Sequence, residues 1–175
     1  MADPPSGLER EYPLSRLTTI RTGGFAEFFA RAGSIEQLER LLAWAASEEL
    51  EVGVVGSGSN LLVADAGVRG LVVKLDKELA EIELSGTRIR CGGGARLPAV
   101  SARAAQAGLT GIEFGVNIPG TVGGAVRMNA GGHGSDIAYT VLFLCSPVAR
   151  FISGQVIAVD GAGTVDQLKL GLGRV

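Results

Sequence analysis

The sequence predicts a mixed α+β fold, and three observations carry that prediction. Val52, Val54 and Val55 form a short β-branched run that enters the polar turn Gly56-Ser57-Gly58-Ser59-Asn60, and Leu71-Val-Val-Lys-Leu75 follows as a second strand. A helix precedes this strand–turn–strand unit and none follows the glycine turn at once, unlike the βαβ order of a dinucleotide-binding unit. Further on, Ile82 and Leu84, then Ile89 and Cys91, alternate across Ser85-Gly86-Thr87, which reads as a hairpin.

The remaining elements fall in order. Residues 1–13 are expected to be mobile. The aromatics at 25, 28 and 29 place a strand over Phe25 to Arg31. Ser34 opens a helix, and Gln37 three residues later completes a capping-box pattern. Leu38, Leu41, Leu42 and Ala45 then share one apolar face at helical spacing, and Trp44 is read as a packing residue at the core or its rim. Pro98 suits the first turn of another helix. Leu97, Val100 and Ala104 mark its buried face, and Gly108 ends it. For Tyr139 to Cys145 a strand is expected, although so short an apolar run does not separate strand from helix. Val156-Ile-Ala-Val159 reads as a strand with Asp160-Gly161 turning after it.

Composition bounds the function. Of 175 residues, 46% are hydrophobic and 19% charged, as in a globular protein of one domain or two small subdomains. The 27 glycines fit a chain that cradles a cofactor. A net charge of −2 and the lack of a basic stripe exclude nucleic acid as a main partner. Cys91 and Cys145 make neither a metal spacing nor a disulfide framework, which points to the cytoplasm. No signal peptide and no bilayer-length apolar run is present, so no membrane association is expected. His133 is the single histidine, with no cysteine or carboxylate at ligand spacing, so no metal is expected. Asp136 is read as a turn or cap residue, and Asp65 is expected to face water.

Two glycine clusters carry the chemistry. Gly56 to Asn60 offers successive backbone N–H groups, a concavity suited to phosphate. It is neither a Walker loop, since no Gly-Lys-Ser/Thr follows, nor a full G-x-G-x-x-G, since Leu61 stands where the last glycine belongs. The second cluster, Ile118-Pro-Gly-Thr-Val-Gly-Gly-Ala-Val-Arg-Met-Asn-Ala-Gly-Gly132, is a backbone suited to lying close against something large and flat. A plain glycine-rich surface loop is the alternative.

Four motifs occur in order: Leu17-Thr-Thr-Ile-Arg-Thr-Gly-Gly24, Val55-Gly-Ser-Gly-Ser-Asn-Leu-Leu62, Gly108-Leu-Thr-Gly-Ile-Glu-Phe114, and Asn117-Ile-Pro-Gly-Thr-Val-Gly-Gly124 with Met128-Asn-Ala-Gly131. Over residues 10–139 the chain resembles the flavin-binding half of the UDP-N-acetylenolpyruvylglucosamine reductases, also called UDP-N-acetylmuramate dehydrogenases. The resemblance implies an FAD domain of the vanillyl-alcohol-oxidase type with two subdomains, 14–75 and 76–139, and a cytoplasmic step of peptidoglycan synthesis. There NADPH reduces FAD and the flavin reduces a UDP-sugar. It also implies that Gly56, Ser57, Gly58, Ser59 and Asn60 bind the FAD pyrophosphate. Asn117, Ile118, Pro119, Gly120, Thr121, Gly123 and Gly124 would line the flavin and its ribityl-phosphate arm. Asn129, Ala130 and Gly131 would close the pocket, with Arg21 to Gly24 nearby. Glu113 reads as a turn or cap residue and Arg127 as a solvated charge.

The family's catalytic groups are not recognisable: a Tyr-Arg pair, a proton-donating serine and a late glutamate. No catalytic residue is therefore assigned, and the substrate domain is expected to be missing. From residue 140 the text resembles the C-terminal end of a short-chain dehydrogenase/reductase, without that family's Tyr-x-x-x-Lys or glycine fingerprint. The expectation is a chimera with its junction near Ala138 to Val141; an ordinary divergent strand-turn-strand of the reductase is the alternative. Its function would be FAD binding with little turnover, a dehydrogenase-related fragment, or a fusion product with no enzyme activity.

Overall fold

The structure, a computed structural model, describes residues 4–131, 140–153 and 157. Two compact units divide the chain, residues up to Ala130 and those from Gly131. The first unit has the mixed α+β architecture.

Its main sheet has four strands in the order β1-β2-β4-β3: β1 Glu9–Pro13, β2 Phe25–Ala32, β3 Val52–Val55 and β4 Val68–Leu75. β1 runs antiparallel to β2, whereas β2, β4 and β3 are mutually parallel. Residues 9–13, expected to be mobile, are thus held as an edge strand. Tyr12 anchors them by stacking on Phe29, with ring centroids 4.0 Å apart.

The sheet separates two cores, as a parallel sheet covered on both faces requires. On one face lie Phe28, Ala30, Ala32, Leu71 and Val73, packed against Leu41, Trp44 and Ala45 of helix α1 (Ile35–Ser47). On the other lie Ala26, Phe29, Val55 and Val72, under Tyr12, Leu14, Leu17 and Val63. Ala26 and Phe29 share a face because the ladder shifts register between Ala26 and Phe28.

The Ser34 cap forms as expected. Its hydroxyl accepts from the Gln37 N–H at 3.2 Å, and the Gln37 side-chain oxygen accepts from the Gly33 N–H at 2.9 Å, one residue ahead of the usual partner. Trp44 is buried and meets Phe28 edge-to-face at 5.2 Å. Leu42, assigned to the apolar face, is exposed. It sits one residue beyond the Leu41 stripe, and the sheet covers only the Leu38, Leu41 and Ala45 side.

After a 3-10 turn at Lys77–Ala80, the hairpin β5 (Ile82–Ser85) and β6 (Arg88–Cys91) closes through Gly86 and Thr87, Gly86 having φ +58°. Helix α2 (Leu97–Gln106) buries Leu97, Val100, Ser101 and Ala104. Gly108, φ +69°, ends it in the left-handed conformation that glycine adopts without penalty. Arg103 ties α2 to the hairpin by donating to the Ile82 carbonyl at 3.2 Å. A 3-10 segment, Glu113–Asn117, and the short helix α3 (Val122–Arg127) complete the unit.

In the second unit, residues 140–144 are helical, correcting the expected strand. The Cys145 N–H donates to the Val141 carbonyl at 2.9 Å, and the Ser146 hydroxyl to the Phe143 carbonyl at 2.6 Å. A local hydrogen-bonded turn satisfies this backbone, so the segment needs no sheet partner. A 3-10 turn, Pro147–Ala149, follows. His133, Asp136, Tyr139 and the expected strand at 156–159, apart from Ile157, lie outside the described residues. Among the described residues no helix is long and apolar enough to cross a membrane, and no group of three or more His, Cys, Asp and Glu side chains could hold a metal ion.

Candidate functional site

The first glycine turn leaves the carboxyl end of β3, where open α/β sheets present their ligand crevices. Leu17 to Gly24 packs against it. The Thr19 N–H donates to the Gly58 carbonyl at 3.1 Å. Gly58, φ +65°, lies so close to the Leu17 carbonyl that a Cβ would overlap it. Both its conformation and its surroundings therefore demand glycine. Thr18 is buried, and its hydroxyl donates to the Thr22 carbonyl at 3.0 Å, which fastens the loop holding Arg21 at φ +56°.

The N–H groups of Ser57, Gly58, Ser59 and Asn60 donate to no described residue. Ser59 and Asn60 are exposed, Ser57 is half-buried and Gly58 is buried. Backbone donors left without partners cost free energy unless water or a ligand takes them.

Tertiary structure brings the second glycine cluster to the first. A Cβ on Gly56 would run into the Thr121 hydroxyl, and it would lie 3.4 Å from Thr121 Cβ and Cγ2. Around Gly120 the space is open, the nearest side-chain atom to a Cβ there being Ser59 Oγ at 3.9 Å. Thr121 is buried and caps α3, its hydroxyl accepting from the Gly124 N–H at 3.3 Å.

The N–H groups of the second cluster are largely engaged within the protein. Val122 donates to Ala95 (2.8 Å), Gly123 to Gly93 (2.8 Å) and Ala125 to Thr121 (2.8 Å). The segment is therefore a short capped helix docked on Gly92–Ala95. Its exposed glycines, Gly123 and Gly124, offer a bare surface more than a set of donors.

Gly92-Gly93-Gly94 is the part that sequence reasoning passed over. A Cβ on Gly92 would strike the Leu79 carbonyl, one on Gly94 the Leu75 backbone, and one on Gly123 would stand 3.0 Å from the Gly93 carbonyl. Three successive glycines were the available signal, and only the fold shows that they are the floor on which the second cluster rests.

The outer positions differ. Asn117 and Pro119 are exposed and Ile118 is half-buried beside α3. Asn129, at φ +48°, is exposed, Ala130 is half-buried with its N–H on the Ala125 carbonyl (2.8 Å), and Gly131 is exposed. Glu113 caps a turn, its carboxylate accepting from the Gly111 N–H at 2.8 Å, and Arg127 and Asp65 are exposed.

Charge near the turn is uneven. Lys74, on β4, is held below the ordinary lysine range, first by partial burial and then by the guanidinium of Arg31, while Asp76 acts the other way and Arg96 adds to the lowering. Burial pushes the Cys91 thiol up, away from the reactive thiolate.

Comparison with known proteins agrees with this geometry. The chain is 47% identical over 137 residues to UDP-N-acetylenolpyruvoylglucosamine reductase 2 of Symbiobacterium thermophilum, covering 78% of this chain and 44% of that protein. It is 40% identical to the UDP-N-acetylenolpyruvoylglucosamine reductase of Bacillus velezensis, covering 75% of this chain and 43% of that protein. Among solved structures, the UDP-N-acetylenolpyruvylglucosamine reductase (MurB) of Thermus caldophilus superposes with a TM-score of 0.59 at 37% identity, over 72% of this chain and 42% of that one. The chain thus spans less than half the length of these relatives. Residues 26–146 match the FAD binding domain family, a stretch that contains both glycine clusters and runs past the expected junction at 138–141. The chain belongs to the FAD binding domain family.

Proposed function

We propose that this chain is the FAD-binding portion of an NADPH-dependent reductase that converts UDP-N-acetylenolpyruvylglucosamine to UDP-N-acetylmuramate in cytoplasmic peptidoglycan synthesis. One observation carries the reading. The N–H groups of the Ser57–Asn60 turn donate to no described residue at the point where Gly56 and Thr121 press the two glycine clusters together.

The residues fit such a cofactor. Ser57, Gly58, Ser59 and Asn60 would donate to the diphosphate, whose charge suits a nest of amides. Gly56 lets Thr121 approach, and Asn117, Ile118, Pro119, Gly120, Thr121, Gly123 and Gly124 would line the flavin and its ribityl arm. Asn129, Ala130 and Gly131 would close the pocket. When bound, FAD would supply the redox chemistry of the reductase, the transfer of hydride from NADPH to the enolpyruvyl double bond. The chain's own part is to bind and orient. No residue here is assigned to proton delivery to the product.

The tail from residue 140 reads as foreign to the reductase, against the continuation of the FAD binding domain match to residue 146. The helical turn at 140–144 favours this, since the dehydrogenase-like text ends a helix there and the reductase-like text would continue as a strand.

The test is the visible spectrum of the purified protein, before and after FAD is added, followed through gel filtration. A flavin band that co-migrates with the protein is the expected result. Failure to retain FAD at excess cofactor would overturn the reading.

A further inference from the structure

The parallel strands end in a row of side chains that the flavin reading does not use. Val55 stands beside Lys74, and Lys74 beside Arg31, in the ladders β3·β4 and β4·β2. Strand side chains alternate between faces, so Arg31, two residues after Phe29, and Lys74, two after Val72, share the face of the Phe29–Val72–Val55 core. The Arg31 guanidinium lies 5.5 Å from the Phe29 ring centroid, on that same side. Gly56 follows Val55 directly, so in the sheet Lys74 lies one strand, and Arg31 two strands, from the end of β3 that enters the glycine turn.

A third cation, Arg96, completes the group. It pairs with Thr121 across a β-bridge, and Thr121 is the residue pressed on Gly56. Among the described residues, Arg31 and Arg96 lower the Lys74 pKa by charge and Asp76 opposes them. Asp76 lies 3.8 Å from Arg31 Nη1. Among the described residues the three cations share this edge with one acidic partner, and their mutual repulsion disfavours the charged form of Lys74.

We propose that Arg31, Lys74 and Arg96 form a side-chain anion site beside the Ser57–Asn60 turn that takes the diphosphate group of a dinucleotide. The proposal rests on the reading of that turn as a diphosphate cradle. It adds the charge that amide donors alone do not supply: the turn sets the position of the group, and the three cations set its affinity and make binding depend on salt.

The test titrates inorganic pyrophosphate into the full chain at low ionic strength, by calorimetry, with Lys74→Met, Lys74→Arg and Arg96→Gln beside the parent, each checked for folding by circular dichroism. The parent should bind, Lys74→Met and Arg96→Gln should each weaken binding about tenfold, Lys74→Arg should keep it, and added salt should weaken it. Absence of pyrophosphate binding by the folded parent would overturn the proposal, as would equal affinity in Lys74→Met and Arg96→Gln. FAD retention is measured on the same proteins. Retention that is equal in parent and variants sinks this proposal and leaves the flavin reading standing. Charge-dependent pyrophosphate binding without FAD retention sinks the flavin reading and leaves the anion site standing.

Discussion

Thr121 stands against Gly56 so closely that a Cβ on the glycine would overlap the threonine hydroxyl. This one contact joins a turn at the end of β3 to the cap of α3, about sixty-five residues away in sequence. Gly56→Ala should therefore cost stability, about 1–3 kcal/mol as for other overpacked sites, and should weaken FAD retention. Thr121→Ala alone should cost about 1 kcal/mol through the lost cap. In the double variant the two costs should fall short of their sum, because the alanine methyl at 56 then has room. Thermal melts of the four proteins check this. Strict additivity would show that the two residues are not coupled.

Gly58 makes a sharper demand. Its φ of +65° and the adjoining Leu17 carbonyl both exclude a side chain. A left-handed non-glycine residue costs roughly 1–2 kcal/mol before any clash is counted. Gly58→Ala is expected to melt lower than Gly56→Ala and to lose FAD retention. A variant with parental melting temperature would mean that the Leu17–Gly24 loop yields easily.

Ser34→Ala serves as the control. It removes the α1 cap on the opposite face of the sheet from the glycine turn. It should lower stability by about 1 kcal/mol and leave FAD affinity unchanged at temperatures where the protein is folded. A matching loss of affinity would show that flavin binding reports on global stability more than on the turn.

Lys74 links charge to pH. Its folded pKa lies below the ordinary lysine value of 10.5, so between the two the unfolded chain binds more protons and stability rises with pH. Below the folded value the charged lysine weighs against folding in full. Lys74→Met, which keeps the aliphatic stem, should melt above the parent at neutral pH, and the gap should narrow as pH climbs toward 10.5. A gap that is absent at neutral pH, or that widens on alkaline titration, contradicts this.

If residues from 140 onward are foreign to the reductase, removing them should matter little to the first unit. Both hydrophobic cores of the sheet lie before residue 80. A chain ending at Tyr139 should fold with a melting temperature close to the parent and should retain FAD equally. Loss of folding would tie the tail to the domain.

Much of the fold was legible in local text. The Ser34–Gln37 cap, the valine run into Gly56-Ser57-Gly58, and the hairpin about Gly86 depend on residues a few positions apart, whose preferences act before any packing. The four ordered motifs pointed to the flavin family for the same reason: each is a backbone requirement written in glycine. Long-range pairing decided the rest. β1 is a strand because β2 offers it an edge and Phe29 offers Tyr12 a ring. Leu42 is exposed because the sheet covers a narrower stripe of α1 than the periodicity suggests. The amides of Val122 and Gly123 are spent on Ala95 and Gly93, partners that no spacing reveals. Arg31, Lys74 and Arg96 are scattered over sixty-five residues of sequence. Only the register of three parallel strands and the bridge to Thr121 set them beside one turn, because side-chain charges meet where the backbone ladders, and not the chain order, bring them.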